Sequence, residues 1–600
     1  MSRLAQDRKE LAVSYDAIVV GSGYGGGVAA SRLARMGLGV AVLERGREWV
    51  PGEFPSRLST ASREMQMTGA RFRRGAPDAL FDLRLGEDVH VLVGCGLGGT
   101  SLINANVCLA PDERVFDGEE WPSAFRQDSA VMNGYGRARE MLRPTCLPET
   151  ERPRKLQALA KAAEVLDRTC ARVPLHIAFE PQATVGGIEQ PACTLCGDCM
   201  SGCNVGAKTT VHSTYLADAV NHGASLFTGF TVRYVEKAPG GGWRVVFRTH
   251  EPEDAAMPAR AATAKYVVLA AGTLGTAEIL LRSRERGLAL SDRLGKRFST
   301  NADAIAFGYN NDVAINAVGV GYPPRAKVPD VGPGVAGYID LRKRKNVRDG
   351  LVVVEAAVQS AMAPLLPVIL SSSAMLGTDT DKGLADGLDE KGRALQSLLR
   401  GAYAGAVHAT QVFLAVGHDD AAGELTLERD RIKVSWPGAA RQPVFAEIEK
   451  VLKAAVAATG GTYIPNPVTH RLLGGNLLTV HPLGGAAMGE DASTGVVDHK
   501  GRVFDTAAGH GATAVHDGLY VTDGAALPGS VGVHPLLTIT AIAERAMIHF
   551  ARDHGFELPL AVKVGLATRD LRTDAIRAVR YRRGGLAKRV GDGLKGLTKS

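Results

Sequence analysis

The chain is 600 residues long, 45% hydrophobic and rich in glycine, with 71. That is the composition of a well-buried soluble protein, two domains woven together rather than a string of independent ones. The formal charge of +7 does not describe a basic body: residues 561–600 carry a net of +8, from eleven Lys or Arg against Asp570, Asp574 and Asp592, which leaves the rest at −1. A nucleic-acid-binding surface has no other support in the chain.

Residues 1–11 are polar and lack the apolar core of a secretory signal, so a cytoplasmic location is expected. Residues 15–20 then read as a buried parallel strand, followed at once by Gly21-Ser22-Gly23-Tyr24-Gly25-Gly26 and by helical spacing over 28–36. In a strand–glycine loop–helix unit of this kind Gly21 permits the tight turn, Gly23 lets backbone approach a pyrophosphate and Gly26 allows close helix packing. A second strand over 39–43 ends in Glu44, eighteen residues after Gly26 and placed to accept from a ribose hydroxyl. The fingerprint does not separate one dinucleotide from another. A second glycine run follows, with Gly94, Gly98, Gly99, Thr100 and Asn104, and reads as backbone lying against a flat ring system.

Midway, Cys193, Cys196, Cys199 and Cys203 form a C-x2-C-x2-C-x3-C run, the ferredoxin spacing that wraps thiolates around an iron-sulfur cluster. Asn204 stands where proline is usual, and no second run exists, so a 4Fe-4S cluster needs Cys203 or an outside ligand while a 3Fe-4S cluster needs only three thiolates. Zinc and reduced thiols are the other readings, zinc sites using two well-separated pairs. Disulfides are unexpected in a cytoplasmic chain. Alternating strands over 226–248 meet at Gly240-Gly241-Gly242, a hairpin turn. The most apolar stretch, 351–376, contains Glu355, Gln359, Pro364 and Pro367 and is no spanning helix; its part over 361–370 is either a lid for an apolar substrate or an internal core segment. A strand over 432–436 and a helix over 444–457 follow. The tail over 571–590 alternates basic and apolar residues, which suits either peripheral attachment to anionic lipid or a solvated terminus.

Two C-terminal runs, His481-Pro-Leu-Gly-Gly and Val531-Gly-Val-His534-Pro535, stand with their histidines 53 residues apart. A histidine pair suits alcohol oxidation: one imidazole takes the hydroxyl proton while its neighbour hydrogen-bonds the oxygen, and hydride leaves carbon. The protein has no electron sink of its own, so a cofactor must supply one.

The run over 93–106 closely resembles the first signature of the glucose-methanol-choline (GMC) oxidoreductases, which lies beside the isoalloxazine of FAD. The second signature of that family is partly present over 272–281, with Ala277 where proline is common and Arg284 after Ser283 where glycine is usual. Residues 519–525 resemble the strand-to-loop segment whose aspartate, here Asp523, contacts the FAD ribityl and pyrophosphate, with Gly524 beside it. Residues 206–216 resemble a segment that precedes the adenine-binding strand, placing Val232 near adenine. Residues 528–545 resemble the cholesterol oxidase branch, with His534 where that branch usually has asparagine, followed by Pro535. The resemblance runs from about 16 to about 550, with the middle poorly matched.

It implies an α/β fold: a Rossmann-type FAD-binding domain over 12–310, discontinuous with 475–550 and including the cysteine run, an α+β substrate-binding domain over 311–474, and a basic tail over 561–600. It also implies FAD, a secondary alcohol on an apolar, sterol- or terpenoid-like skeleton, and hydride transfer to flavin N5 with His481 the more indispensable histidine. Some GMC dehydrogenase subunits carry cysteine-ligated clusters, and a cluster favours a dehydrogenase feeding a separate acceptor, a protein or a quinone. The alternatives are an oxygen-using alcohol oxidase without a cluster, a nicotinamide-dependent dehydrogenase and, from another class, a non-catalytic lipid-binding or redox protein. Steroid oxidases of the family isomerise a ring double bond with a carboxylate of the substrate domain; residues 360–367 contain no acid and Glu355 is out of register, so isomerisation is not expected.

Overall fold

The apolar run behind the leader folds as the strand Ser14–Val20, parallel to Val40–Leu43 on one side and to Arg260–Leu269 on the other. Ser225–Phe227 extends the sheet beyond Val40–Leu43, and Val515–Val521 pairs with the last residues of Arg260–Leu269. The computed structural model describes residues 3–559 apart from 70, 251–258, 324–329, 382–383, 468–474 and 510, so the basic tail lies outside the described residues. Because the parallel strands are covered on both faces, they read as unbroken Val, Ile and Leu runs rather than as alternation. The helices Tyr24–Arg35 and Leu536–His554 pack against each other, and both are buried along most of their length.

Arg260–Leu269 serves two partners because of its length. Its first half pairs antiparallel with Trp243–Thr249, itself paired with Phe230–Lys237, and the turn between those two falls on 240–242 as the glycines predict. This meander leaves the parallel part of the sheet free to build the nucleotide site.

A second sheet has seven strands and is antiparallel at every pairing. Its order is Thr378–Asp379, Thr462–Pro465, Ala304–Tyr309, Gln411–Val416, Val352–Ala356, Gly337–Asp340 and Cys170–Arg172. Two of these strands, Cys170–Arg172 and Ala304–Tyr309, precede residue 311 in the chain. The helices Arg154–Val165 and Pro443–Ala457 cover one face, where Leu159, Val353, Phe413 and Leu452 meet in one core. The apolar stretch over 351–376 therefore divides into a central strand, Val352–Ala356, and a surface helix, Leu366–Ala374, on which Leu366 and Leu370 are buried while Val368 is exposed. Among the described residues no helix is long and apolar enough to cross a membrane.

One further pairing positions the chemistry. Leu477–Thr479 runs parallel to Val89–Gly94. The carboxyl ends of those two strands carry His481 and the second glycine run, so the two emerge side by side.

Candidate active site

Gly21 closes the first turn at φ +91°, where an added Cβ would stand 2.3 Å from Ala270 O. Beyond it the backbone at Gly23 faces open space on its Cβ side, and Gly99 packs on it so closely that a Cβ there would lie 2.8 Å from Gly23 Cα. The two glycine runs thus meet backbone to backbone, and Gly26 seats the helix against Gly21 O. Ser22 links the loops: its Oγ donates to Glu44 Oε2 at 2.5 Å and accepts from Gly98 N at 3.0 Å. Burial pushes the Glu44 carboxyl upward, against the pull of Ser22 and the Gly46 amide. Phe230 N donates to Glu44 O at 2.9 Å, which puts the strand carrying Val232 directly after Glu44.

The second run holds its own shape. Gly94 N donates to Thr100 Oγ1 at 3.1 Å, and Asn104 Nδ2 donates to Tyr24 OH at 2.7 Å. Asn104 Oδ1 is buried with no hydrogen-bond partner. Asp523 ties in the remaining segments: its Oδ2 accepts from Gly272 N at 2.7 Å and Thr276 Oγ1 at 2.6 Å, and its Oδ1 from Ala525 N at 2.9 Å. Burial pushes its carboxyl up to about 6. Gly524 O accepts from Gly484 N at 2.9 Å, which draws the His481 loop onto this turn, and Pro535 caps the helix Leu536–His554.

His481 and His534 meet with ring centroids 5.1 Å apart and planes at 80°. They are held differently. His481 Nδ1 donates to Asp303 Oδ1 at 2.6 Å, while Asp303 Oδ2 accepts from Thr479 Oγ1, Val480 N and His481 N at 2.8, 2.8 and 3.0 Å. With Nδ1 committed as donor, Nε2 is the nitrogen left with a lone pair for a ligand. His534 is buried with no partner at either ring nitrogen. Burial and the neighbouring His481 hold it well below the ordinary imidazole range, so it is neutral at physiological pH.

The backbone before His534 hangs on Asn301, whose Oδ1 accepts from Val531 N and Gly532 N at 2.9 and 3.2 Å and whose Nδ2 donates to Val533 O at 2.7 Å. Asn301 and Ala302 stand at φ +56° and +47°, left-handed positions that cost about 1–3 kcal/mol each for residues other than glycine. Buried Asp419 braces them by accepting from Ser299 Oγ, Thr300 N and Ala302 N at 2.7, 2.8 and 3.1 Å. Asp303, Asn301 and Asp419 are the site residues that sequence reading misses. The only signal is the polar run Ser299-Thr-Asn-Ala-Asp303, which carries no apolar period and is nevertheless fully buried.

The four cysteines line one cavity together with Lys208, and all are free thiols. Asp198 fastens their loop by accepting from Gly321 N and Ser360 N at 2.6 and 2.7 Å. Asn204 exchanges two hydrogen bonds with the backbone of Phe54, at 2.8 and 2.9 Å, which a proline could not make. Among the described residues no three His, Cys, Asp or Glu side chains are grouped to hold a metal ion. Glu355 is fully buried in an ion pair with Lys155 at 2.5 Å.

Comparison with known proteins agrees with this geometry. The GMC oxidoreductase family models match residues 15–301 and 474–543. A cholesterol oxidase of Mycobacterium tuberculosis is 29% identical over 89% of this chain and 90% of its own length, and one of Acinetobacter baumannii is 27% identical over 90% and 95%. A long-chain-alcohol oxidase of Arabidopsis thaliana is 24% identical over 90% of this chain and 68% of its own. Among solved structures, a fungal aryl-alcohol oxidase superposes with a TM-score of 0.56 at 16% identity, covering 91% of this chain and all of its own. A formate oxidase of Aspergillus oryzae, studied for FAD modification, gives 0.59 at 13%, covering 91% and 99%. With both family regions matched, and a glycine cradle and histidine pair where they fall, the chain belongs to the FAD-dependent GMC oxidoreductases.

Proposed function

We propose that this protein oxidises a secondary alcohol on an apolar, sterol- or terpenoid-like skeleton to the ketone, and that the electrons leave through an iron-sulfur cluster at the cysteine run to an external acceptor. The observation that carries the alcohol reading is the His481–Asp303 contact at 2.6 Å beside an unpartnered His534. The residues present fit FAD: open backbone at Gly23, the Gly98–Gly99 loop packed on it, Glu44, the turn after Asp523, and the unpartnered buried atoms of Asn104 and His534. Bound there, the cofactor supplies a hydride acceptor.

The chain's own residues do the rest. His481 Nε2 takes the hydroxyl proton as hydride departs from carbon, and the Asp303 carboxylate stabilises the imidazolium that forms. His534, neutral, hydrogen-bonds the substrate oxygen and keeps it on the line between carbon and His481. Asn301 and Asp419 hold both arms in place.

The names of the relatives, cholesterol oxidases and a long-chain-alcohol oxidase, support an apolar substrate. So does the surface: Val368, Leu388 and Leu399 are 64%, 71% and 77% exposed on the helices Leu366–Ala374 and Leu384–Arg400. That surface, with the basic tail, supports peripheral contact with the cytoplasmic face of a membrane. Coupled isomerisation is no part of the proposal, because Glu355 is locked to Lys155. Anaerobic addition of sterols and terpene alcohols to the purified protein tests the reading. A secondary alcohol should bleach the flavin spectrum; a protein that no alcohol bleaches refutes it.

A further inference from the structure

Hydride transfer uses none of the four cysteines over 193–203, although they converge on one cavity. Resting on the alcohol-oxidising reading above, we propose that Cys193, Cys196, Cys199 and Cys203 ligate a single 4Fe-4S cluster, set against the loop that carries Asn104 and aimed at an external one-electron acceptor.

The spacing brings three thiolates to one face of a cube, and in a two-cluster ferredoxin the fourth serves the other cluster. Here Cys203 lines the same cavity as the other three, so it completes the set. The loop is shaped for sulfur. Leu195, between the first two cysteines, takes φ +58°, and Gly197 and Gly202 are left-handed as well. Two amides point at the thiols: Leu195 N donates to Cys193 Sγ at 3.4 Å and Gly334 N to Cys199 Sγ at 3.3 Å. Hydrogen bonds of this kind set cluster potentials. Gly334 is a close approach, since a Cβ there would lie 3.0 Å from Cys199 Cβ.

Lys208 supplies an independent argument. It is buried, and its ammonium donates to three carbonyls, Leu102 O, Asn104 O and Cys199 O, at 3.0, 2.6 and 3.1 Å, with no carboxylate of the described residues in contact. A buried cation needs an anion, and cysteine thiolates around a cluster provide one on the cavity side. Those three bonds also clamp the cysteine loop to the second glycine run, which puts the cavity next to the flavin site. On the other side Thr194 is exposed and Cys193, Cys196 and Cys203 are half-buried, so the cavity also reaches the surface.

Oxidation of a secondary alcohol to its ketone breaks one C–H and one O–H bond, makes the second carbon–oxygen bond, and yields two electrons and two protons. A cluster held by these four cysteines would supply one-electron transfer to the external acceptor, so two passages would serve one alcohol, with both protons released to solvent.

The test is anaerobic purification of the full chain, with iron, acid-labile sulfide and FAD counted on one sample and an electron paramagnetic resonance spectrum taken after dithionite. About four irons and four sulfides per chain are expected, with a signal in the reduced state. Cys199→Ser and Cys203→Ser should lose the iron while FAD stays bound, and Cys146→Ser, at an exposed cysteine elsewhere, should keep it. FAD-replete protein without sulfide, both as purified and after reconstitution with ferrous iron and sulfide, overturns the proposal, as does zinc in place of iron. Full iron in Cys203→Ser, or three irons in the unaltered chain, overturns the four-ligand set. The alcohol reading stands or falls separately, because flavin bleaching without an acceptor needs no cluster: bleaching without iron sinks only the cluster, and iron without bleaching sinks only the alcohol.

Discussion

Two buried polar corners of this molecule are built to opposite rules. At Lys155 and Glu355, both 0% exposed, one carboxylate oxygen meets the ammonium and the other accepts from Ala336 N and Gly337 N at 2.7 and 2.9 Å. At His534, 3% exposed, neither ring nitrogen has a partner. A buried polar group left unpaired costs about 1–3 kcal/mol, so the bare imidazole is tolerable only where a ligand completes it. The satisfied corner ties the strand Val352–Ala356 to the helix Arg154–Val165, and the unsatisfied one is where the proposed chemistry falls. Removing side chains from each should therefore hurt different observables. The largest effect is expected at the bare corner: His481→Ala with His534→Ala should abolish turnover, and each alone should slow flavin bleaching by about 10²–10⁴-fold with FAD content and thermal midpoint little changed. Undiminished bleaching in the double variant removes the histidines from the mechanism.

At the satisfied corner the expected loss is in stability. Lys155→Met strands a buried carboxylate and should cost about 3–5 kcal/mol by urea unfolding, while Lys155→Met with Glu355→Leu should recover most of it. Bleaching rates in the folded fraction should not move; a slow but stable Lys155→Met protein would place the pair in the active site after all. Asp303→Asn lies between the corners. It keeps the size of the side chain but removes the charge that supports a protonated His481, so turnover should fall by about 10²-fold at nearly constant KM. A purely structural role would instead show as lost FAD or a lowered thermal midpoint with normal kcat.

How far the sequence carries depends on how local the signal is. The run over 15–20, the glycines 21–26 and the acid at 44 announce a nucleotide-binding unit because strand, turn and helix are contiguous and each glycine answers a close contact nearby. His481 and His534 are legible for the same reason, each sitting in a short constrained motif. Asp303 and Asn301 are not: their segment is polar but for Ala302, and its burial is created only when the second sheet and the histidine loops close over it. The second sheet is equally silent, since its antiparallel pairs join residues as far apart as Cys170 and Ile339 and leave no periodic trace. Strands from before residue 311 therefore join it unannounced. The cysteine spacing shows in sequence, while Lys208, which clamps that loop to the second glycine run, shows only in three dimensions.

The smallest effect separates the two corners by pH alone. His534 is held well below its ordinary value, His176 is lowered to about 3 and His418 to about 4, all by burial. In the unfolded chain these imidazoles protonate near 6.5. A depressed pKa means that the unfolded state binds protons first, so the stability is intact above pH 6.5 and is lost as pH falls below it. Each group loses roughly 0.8 kcal/mol between pH 7.5 and 6, or about 2 kcal/mol for the three. Asp523, raised to about 6, works in the opposite sense and offsets a fraction of this, because the folded state then takes up a proton that the unfolded chain does not. Burial raises the Glu355 carboxyl as well, so the satisfied corner, like Asp523, works against this loss. Urea midpoints of the FAD-free protein at the two pH values check the sign, and a midpoint that rises on acidification would mean that the buried imidazoles are already charged.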